Sequence, residues 1–282
     1  MTVSTPSNSA ANTSRMAFIG GGNMASSIIG GLIEQGMAPD RIQVVEPFLD
    51  ARVRLEIQFG VQTAAAAGGQ LADAQVVVWA VKPQIFGEAA APVAPFTREA
   101  LHLSVAAGIR SDSIANWLGT QRVARAMPNT PALIGKGMTG LYAGAGVSVA
   151  DRRQVEVLLM CTGDLLWLEH EVQLDAVTAL SGSGPAYVFY FLEAMAKAGV
   201  EMGLTYQQAR HLAVTTFAGA SALAHSSEES LDVMRERVTS KGGTTYAAIT
   251  SMEADGMQAS FIKALKAAQQ RAGELGDEFG RG

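Results

Sequence analysis

The sequence is poor in the residues from which disulfide frameworks and metal centres are built. A single cysteine, Cys161, stands among 282 residues, so no internal disulfide can form. The four histidines, His102, His170, His211 and His225, are scattered and show no metal-ligand spacing. We therefore expect no metal site, and a reducing compartment, the cytoplasm, as the location.

Basic residues and long apolar runs are also scarce. The 21 Lys and Arg are outnumbered by 26 Asp and Glu, which excludes nucleic acid and anionic membranes as main partners because both require a basic surface. The longest apolar run, "PAYVFYFLEAMA", is interrupted by Glu193, well short of the roughly 20 residues of a membrane span. Residues 1–14 are small and polar, unlike a signal peptide, and are expected to form a disordered tail. Small molecules and copies of the same chain remain as partners.

Short apolar runs dominate the first half of the chain and alternate with amphipathic stretches. "MAFI", "IQVVE", "VVVWAV" and "LHLSVAA" are typical of buried parallel strands, and helical patterns fall at 23–35, 50–58 and 84–91. "RVARAM", "GMTGLYA" and "LLWL" extend the series, with a helix at 151–161. This α/β pattern predicts a doubly wound, Rossmann-type domain at residues 15–169.

Strand patterns stop after about Glu169, and residues 170–282 are predicted to form an all-α domain. Apolar residues recur there at three- and four-residue steps in two long helices, the first over residues 173–202. Such helices, rich in small residues, pack on more than one side, either in a subunit interface or in an intramolecular bundle. The positions that carry the repeat are Val177, Leu180, Gly184, Val188, Phe191, Met195, Ala213, Phe217, Ala220 and Ala224.

The segment "MAFIGGGNMASS" carries a dinucleotide-binding fingerprint. Gly20, Gly22 and Ala25 follow the first strand and open a helix that begins near Asn23 and Met24. The first glycine allows a tight turn, the second lets backbone approach a pyrophosphate, and the small third residue lets helix and strand pack closely. We predict Gly20, Gly22, Asn23 and Met24 as cofactor contacts.

Glu46 ends the second strand, where an acidic residue hydrogen-bonds to the hydroxyls of the adenosine ribose. A carboxylate there favours NADH and repels the extra phosphate of NADPH. Arg52 or Arg54 would soften that repulsion by folding back toward the ribose, or would be solvated as part of a helix. The sequence leaves open which of the two cofactors is preferred.

Further cofactor contacts are expected along the carboxyl edge of the sheet, where open α/β sheets bind ligands. "WAVKPQ" and "SVAAG" each end a strand in a tight turn, and "AMPNTPA" restricts a loop that displays Asn129 and Thr130 as a wall around the nicotinamide. Lys82 either reaches a phosphate or caps its turn. The predicted contacts are Ala80, Val81, Lys82, Pro83, Ala106, Ala107, Gly108 and Asn129.

"VTSKGGTTYAAI", residues 238–249, places a glycine- and hydroxyl-rich turn directly before a helix. The first N–H groups of a helix lack intrahelical partners and attract anions. The turn therefore predicts a site for a small carboxylate.

In this order and spacing, "FIGGGNMA", "AVKPQ", "RAMPNTPA", "LSGSGPAYVF" and "VTSKGGTTYAAI" resemble the pyrroline-5-carboxylate reductase family, from Met16 to about Leu275. The resemblance implies reduction of the C=N bond of 1-pyrroline-5-carboxylate to L-proline by NADPH or NADH. It also implies a helical domain that interlocks two subunits, with a pentamer of dimers as the larger assembly.

The same resemblance assigns roles at the glycine-rich turn. Backbone N–H groups near Gly243, Thr244 and Thr245 bind the substrate carboxylate, while the Thr245 hydroxyl meets the ring nitrogen as the catalytic group. Helix N-capping is the alternative role for Thr245. Glu171 matches a position near bound product, and either Glu228 or Glu229 corresponds to a further acidic residue.

Some residues depart from the family pattern, and they leave cofactor preference open. The sequence also leaves open the size of the assembly, the acceptance of other cyclic imino acids and feedback by proline. Lys241 stands where many members have proline, Glu46 replaces a small or neutral residue, and Ala67 and Arg237 occupy positions where some relatives have asparagine.

The same motifs disfavour three other functions. A β-hydroxyacid dehydrogenase needs a lysine where the chain has Val188, and a hydrolase elbow needs a glycine at Ser181. A catalytically silent, nucleotide-sensing protein would have a broken substrate turn, whereas Gly242, Gly243 and Thr245 are all present.

Overall fold

The computed structural model describes residues 14–280, so the tail predicted at residues 1–14 lies, apart from Ser14, outside the described residues. Contacts divide the chain into two compact units. The first contains the described residues through Ser183 and those from Ala268 onward, and the second is Gly184–Ala267.

The first unit is built on one mostly parallel sheet. Its strands are β1 (Met16–Ile19), β2 (Ile42–Val45), β3 (Gln62–Ala64), β4 (Val76–Trp79), β5 (Leu101–Ser104), β6 (Val123–Met127), β7 (Gly137–Ala143) and β8 (Gly163–Trp167). Their order is β3-β2-β1-β4-β5-β6-β7-β8, and only the β6–β7 pair is antiparallel among the described strands. The chain therefore has the predicted doubly wound architecture, whose first six strands follow the Rossmann order.

Helices cover both faces of this sheet. They are α1 (Asn23–Glu34), α2 (Leu49–Phe59), α3 (Phe86–Thr97), α4 (Ser111–Leu118), α5 (Val149–Leu159) and α6 (Gln173–Val177). Met16 and Phe18 enter one apolar core, with α1 and α5, whereas Ala17 and Ile19 enter the other, with α3 and α4. Strands buried on both faces explain the near-continuous apolar runs of the sequence.

Two details of this unit differ from expectation. The helix predicted at 84–91 continues to Thr97 despite Pro92 and Pro95. Each proline removes a backbone hydrogen bond. The helix continues because its inner face, which includes Phe86 and Val93, is buried against the sheet.

The segment after β8 belongs by its contacts to the first unit, so the contact boundary at Ser183 differs from the predicted domain boundary at residue 169. The difference arises because two ion pairs, Glu171–Arg125 and Asp175–Arg110, join this segment to β6 and to the loop before α4. The predicted helix over 173–202 is also interrupted, because a wider helical turn at Thr178–Gly182 follows α6.

The second unit is helical, as predicted for this part of the chain. It contains α7 (Gly184–Glu201), α8 (Tyr206–His225), α9 (Leu231–Arg237), α10 (Thr244–Ala254) and the start of α11 (Met257–Phe279), whose end is counted with the first unit. A β-carbon at Gly199 would lie 2.6 Å from the Ala209 Cβ, so α7 and α8 touch through small residues. No helix among residues 14–280 is both long and apolar enough to cross a membrane.

Candidate active site

The fingerprint glycines lie at the switch point of the sheet, where β1 is flanked by β2 and β4. Gly20 has φ +96°, and a β-carbon there would lie 2.6 Å from the Ala80 carbonyl oxygen. Its N–H donates to the Val45 carbonyl at 2.9 Å. Only glycine fits this turn, which brings the loop after β1 against the loop after β4.

Gly22 immediately precedes α1 and faces open space, since a β-carbon there would meet no atom of the described part of the chain within 4 Å. The first hydrogen bond of the helix runs from Ser26 N–H to the Gly22 carbonyl, which leaves the N–H groups of Asn23 and Met24 at an open helix start. Ala25 is fully buried against the sheet. These residues fit a dinucleotide pyrophosphate, which needs close backbone approach and a helix N-terminus.

Glu46 lies beside this turn and is 7% exposed. One carboxylate oxygen accepts from Gly21 N–H at 2.8 Å and the other from Phe48 N–H at 3.0 Å. Arg52 folds back rather than being free in solvent, and its Nη1 donates to the carbonyl oxygens of Glu46 and Pro47 at 2.9 and 2.8 Å. The guanidinium thus lies near Glu46 without pairing with its carboxylate.

The other predicted cofactor residues lie at the same edge. Ala80 follows β4, and Val105 begins the loop that carries Ala106, Ala107 and Gly108 after β5. Lys82 is exposed and precedes the short 3₁₀ turn Pro83–Ile85 without a side-chain capping hydrogen bond. Its contact with a phosphate stays a prediction.

Asn129 holds its own loop in place. Its Oδ1 accepts from Met138 N–H at 3.0 Å, and its Nδ2 donates to the Ser181 hydroxyl at 3.1 Å. The side chain therefore connects the loop after β6 to β7 and to the wider turn after α6. Its contact with the nicotinamide stays a prediction.

Glu171 is held by three hydrogen bonds within the first unit. Its Oε1 accepts from Ser111 N–H at 2.6 Å and Arg125 Nη1 at 2.7 Å, and its Oε2 accepts from the Ser111 hydroxyl at 2.8 Å. Arg110 pairs with Asp175 at 3.0 Å next to it. The predicted role of Glu171 near the product stays a prediction, while its structural role is to fasten its segment to β6 and α4.

Sequence reasoning missed Arg125 at the centre of these ion pairs. Burial lowers the pKa of its guanidinium from the ordinary value, an effect that the nearby Glu171 carboxylate opposes. Its Nε has no hydrogen-bond partner among the described residues. A lone arginine in the otherwise apolar "VARAM" was the available signal, since a buried charge requires a partner.

The glycine-rich turn lies in the second unit and opens α10. Gly242 has φ +79°, and Gly243 N–H donates to the Ser240 carbonyl at 2.9 Å. The first helical bond runs from Ala247 N–H to the Gly243 carbonyl, so the N–H groups of Thr244 and Thr245 have no partner among the described residues. The first turn carries no acidic residue. This geometry suits a small anion.

Thr245 is the second residue of α10, whereas Gly243 occupies the N-cap position, and no side chain of the described residues caps the helix. The alternative role of Thr245 as an N-cap is therefore wrong. Lys241, one residue before the glycines, is exposed and adds a positive charge to the turn.

Two parts of the chain match models of known protein families. Residues 171–275 match a family model described as pyrroline-5-carboxylate reductase dimerisation. Residues 15–108 match one described as NADP oxidoreductase, coenzyme F420-dependent.

Relatives extend the similarity to nearly the whole chain. A pyrroline-5-carboxylate reductase from Pseudomonas aeruginosa is 46% identical over 272 residues, which cover 96% of this chain and 100% of that protein. The structure of one from Coxiella burnetii is 39% identical, with a TM-score of 0.87 over 93% of this chain and 98% of that one. The Plasmodium falciparum enzyme, crystallised with NADP bound, shares the fold with a TM-score of 0.84 at 24% identity, over 94% of this chain and 99% of that one.

Proposed function

This chain belongs to the pyrroline-5-carboxylate reductase family, and from that premise we propose that the turn before α10 is its substrate site. The protein is an NAD(P)H-dependent oxidoreductase that reduces 1-pyrroline-5-carboxylate to L-proline, the final step of proline biosynthesis. The observation that carries the site assignment is the open start of α10. There the N–H groups of Thr244 and Thr245 lie beside a hydroxyl and have no partner within residues 14–280.

The groups that would hold the dinucleotide are the switch-point turn and the loops after β4 and β5. When bound, NADPH or NADH supplies the hydride. At Gly20 and Gly22 the backbone can approach the phosphates closely, and the N-terminus of α1 provides N–H groups to bind them. Glu46 directly follows β2, where we expect the ribose. The Ala106–Gly108 loop would form part of the wall beside the nicotinamide.

The remaining demands on the protein are binding and orientation. A cyclic imine becomes a strong electrophile once it is protonated, and water can supply that proton. Thr244 and Thr245 would bind the carboxylate through their N–H groups, which fixes the ring, and the Thr245 hydroxyl would hydrogen-bond to the ring nitrogen. No histidine or lysine general acid is required.

The active form is a homo-oligomer built through the helical domain, for which we propose a dimer that assembles further as a pentamer of dimers in the cytoplasm. Support comes from the second unit, in which large apolar side chains remain exposed. They include Phe189 at 63%, Tyr190 at 71%, Met202 at 76% and Leu223 at 61%. Apolar surface of this extent marks an interface.

The substrate-site assignment is tested with the product as ligand. A ligand that binds only the folded state raises the melting temperature, so L-proline should stabilise the wild-type protein in a concentration-dependent way. Acetate at the same concentrations is the control, because it carries a carboxylate without the ring. A shift that L-proline and acetate produce equally, or no shift at all, would remove the turn as a specific proline site.

A further inference from the structure

The last turns of α11 lie against the loop that follows β5. Phe279 packs on the apolar cluster that contains Ala106 and Ile109. Gly108 has φ +69°, and a β-carbon there would lie 3.1 Å from Leu275 Cβ and 3.5 Å from Phe279 Cδ2. The helix and the loop therefore touch closely, without space for an additional methyl group.

Gly276 on α11 and Gly280, directly after the helix, allow this approach. A β-carbon at Gly276 would lie 3.0 Å from Arg110 Nε, and one at Gly280 would lie 2.8 Å from the Ser113 hydroxyl oxygen. The Ser113 hydroxyl donates to the Gly280 carbonyl at 3.2 Å. Glycine within a helix is about 1 kcal/mol less favourable than alanine, a cost that this close contact offsets at Gly276.

The loop is held from its other side as well. Arg110, directly after it, pairs with Asp175, and Ser111 N–H donates to Glu171. The two residues after Ile109 are therefore held by the carboxylates of Asp175 and Glu171. The Ala106–Gly108 loop itself is covered by α11.

We propose that residues 275–280, the C-terminal brace, position the Ala106–Gly108 loop for cofactor binding. This inference rests on the proposed function, in which that loop contacts the nicotinamide cofactor. A loop that is already ordered loses little conformational entropy when the cofactor binds. Loosening the brace therefore weakens NADPH and NADH binding, while the substrate turn before α10 retains its chemistry.

A matched pair of substitutions tests the brace. Gly276→Ala introduces a methyl group 3.0 Å from Arg110 Nε, whereas a β-carbon at Gly273 would lie 3.7 Å from Asp175 Oδ2, an ordinary contact. Both substitutions raise helix propensity equally, so their difference isolates the contact with Arg110. Phe279→Ala removes the ring that packs on the cluster containing Ala106 and Ile109, and it adds no atoms.

Cofactor dissociation constants, measured by the fluorescence of NADPH and of NADH, are the first measurement. We expect a rise of about fivefold or more in Gly276→Ala and Phe279→Ala, little change in Gly273→Ala, and kcat close to wild type in all three. Amide hydrogen exchange of residues 105–110, measured without cofactor, should be faster in the first two variants only.

Equal dissociation constants across the three variants would overturn the proposal, and so would faster loop exchange that leaves cofactor affinity unchanged. Should the wild-type protein bind neither NADPH nor NADH, the proposed function itself fails, and the positioning role fails with it. The exchange comparison still shows in that case whether α11 orders the loop. If Gly276→Ala does not fold, the comparison of Phe279→Ala with the wild-type protein decides.

Discussion

The Thr245 hydroxyl is the side-chain group that we place at the ring nitrogen, and its neighbour provides a close control. Thr245→Ala should lower kcat for pyrroline-5-carboxylate about tenfold to a hundredfold, the cost of one lost hydrogen bond at a reacting centre. Thr244→Ala keeps its backbone N–H and should stay near wild type. Steady-state kinetics with both variants, together with NADPH affinity, checks this. Equal effects of the two substitutions would remove the hydroxyl from the mechanism.

His102 makes folding stability depend on pH. It is fully buried, its Nδ1 accepts from Trp79 Nε1–H at 3.0 Å, and its Nε2 lies 2.9 Å from the Thr97 carbonyl, which requires the neutral ring. Burial lowers its pKa from 6.5 to about 4. His102 therefore becomes protonated below about pH 6.5 in the unfolded chain, but only below about pH 4 in the folded chain.

We expect the free energy of unfolding to fall as the pH drops from 6.5 to 4, by about 3 kcal/mol from this residue. Urea unfolding at several pH values measures it. His102→Asn should flatten that dependence, whereas His170→Asn, at an exposed site, should keep it. An unchanged slope in His102→Asn would contradict the assignment.

Among the elements, the segment directly before α6 is joined to β6 by the ion pair between Glu171 and Arg125, whose side chains are 19% and 6% exposed. Glu171→Ala would leave a buried guanidinium without its counter-charge, and we expect a loss of about 3 kcal/mol in the free energy of unfolding. Glu169→Ala, two residues earlier and exposed, should change it little. Denaturant unfolding of both variants measures the two free energies. Equal losses of unfolding free energy in Glu171→Ala and Glu169→Ala would contradict the structural role of Glu171.

The elements also show how far sequence reasoning reaches. Strands such as Val76–Trp79 are buried on both faces and therefore have a continuous apolar pattern, which predicted the doubly wound sheet. The fingerprint at Gly20 and the turn at Gly242 could be placed because their glycines serve a backbone geometry that local sequence records.

What the sequence did not indicate depends on contacts between distant residues. Nothing local connects Glu171 with Ser111 or Arg125, or Leu275 with Gly108, because each pair meets only after folding. The interruption of the helix predicted over 173–202 follows the same rule, since α6 is held to the sheet while α7 belongs to the second unit.

For the whole molecule, the exposed apolar face of α7 predicts that the subunits separate when a charge is placed there. Phe189→Glu should convert the oligomer into smaller species, because the charge would be buried against apolar surface. Ile57→Glu, at a site 82% exposed in the first unit, is the control and should leave the assembly intact. Sedimentation velocity measures both, and an unchanged mass for Phe189→Glu would exclude this face from the interface.

The central claim, an imine reductase whose substrate site is the turn before α10, is tested most directly by nicotinamide oxidation. Purified wild-type protein and Thr245→Ala would be given pyrroline-5-carboxylate with NADPH and, separately, with NADH, and the loss of nicotinamide absorbance followed. The account predicts rapid oxidation by the wild-type protein with at least one cofactor and a much slower rate in the variant. No oxidation by the wild-type protein with either cofactor, or equal rates in the two proteins, would contradict it.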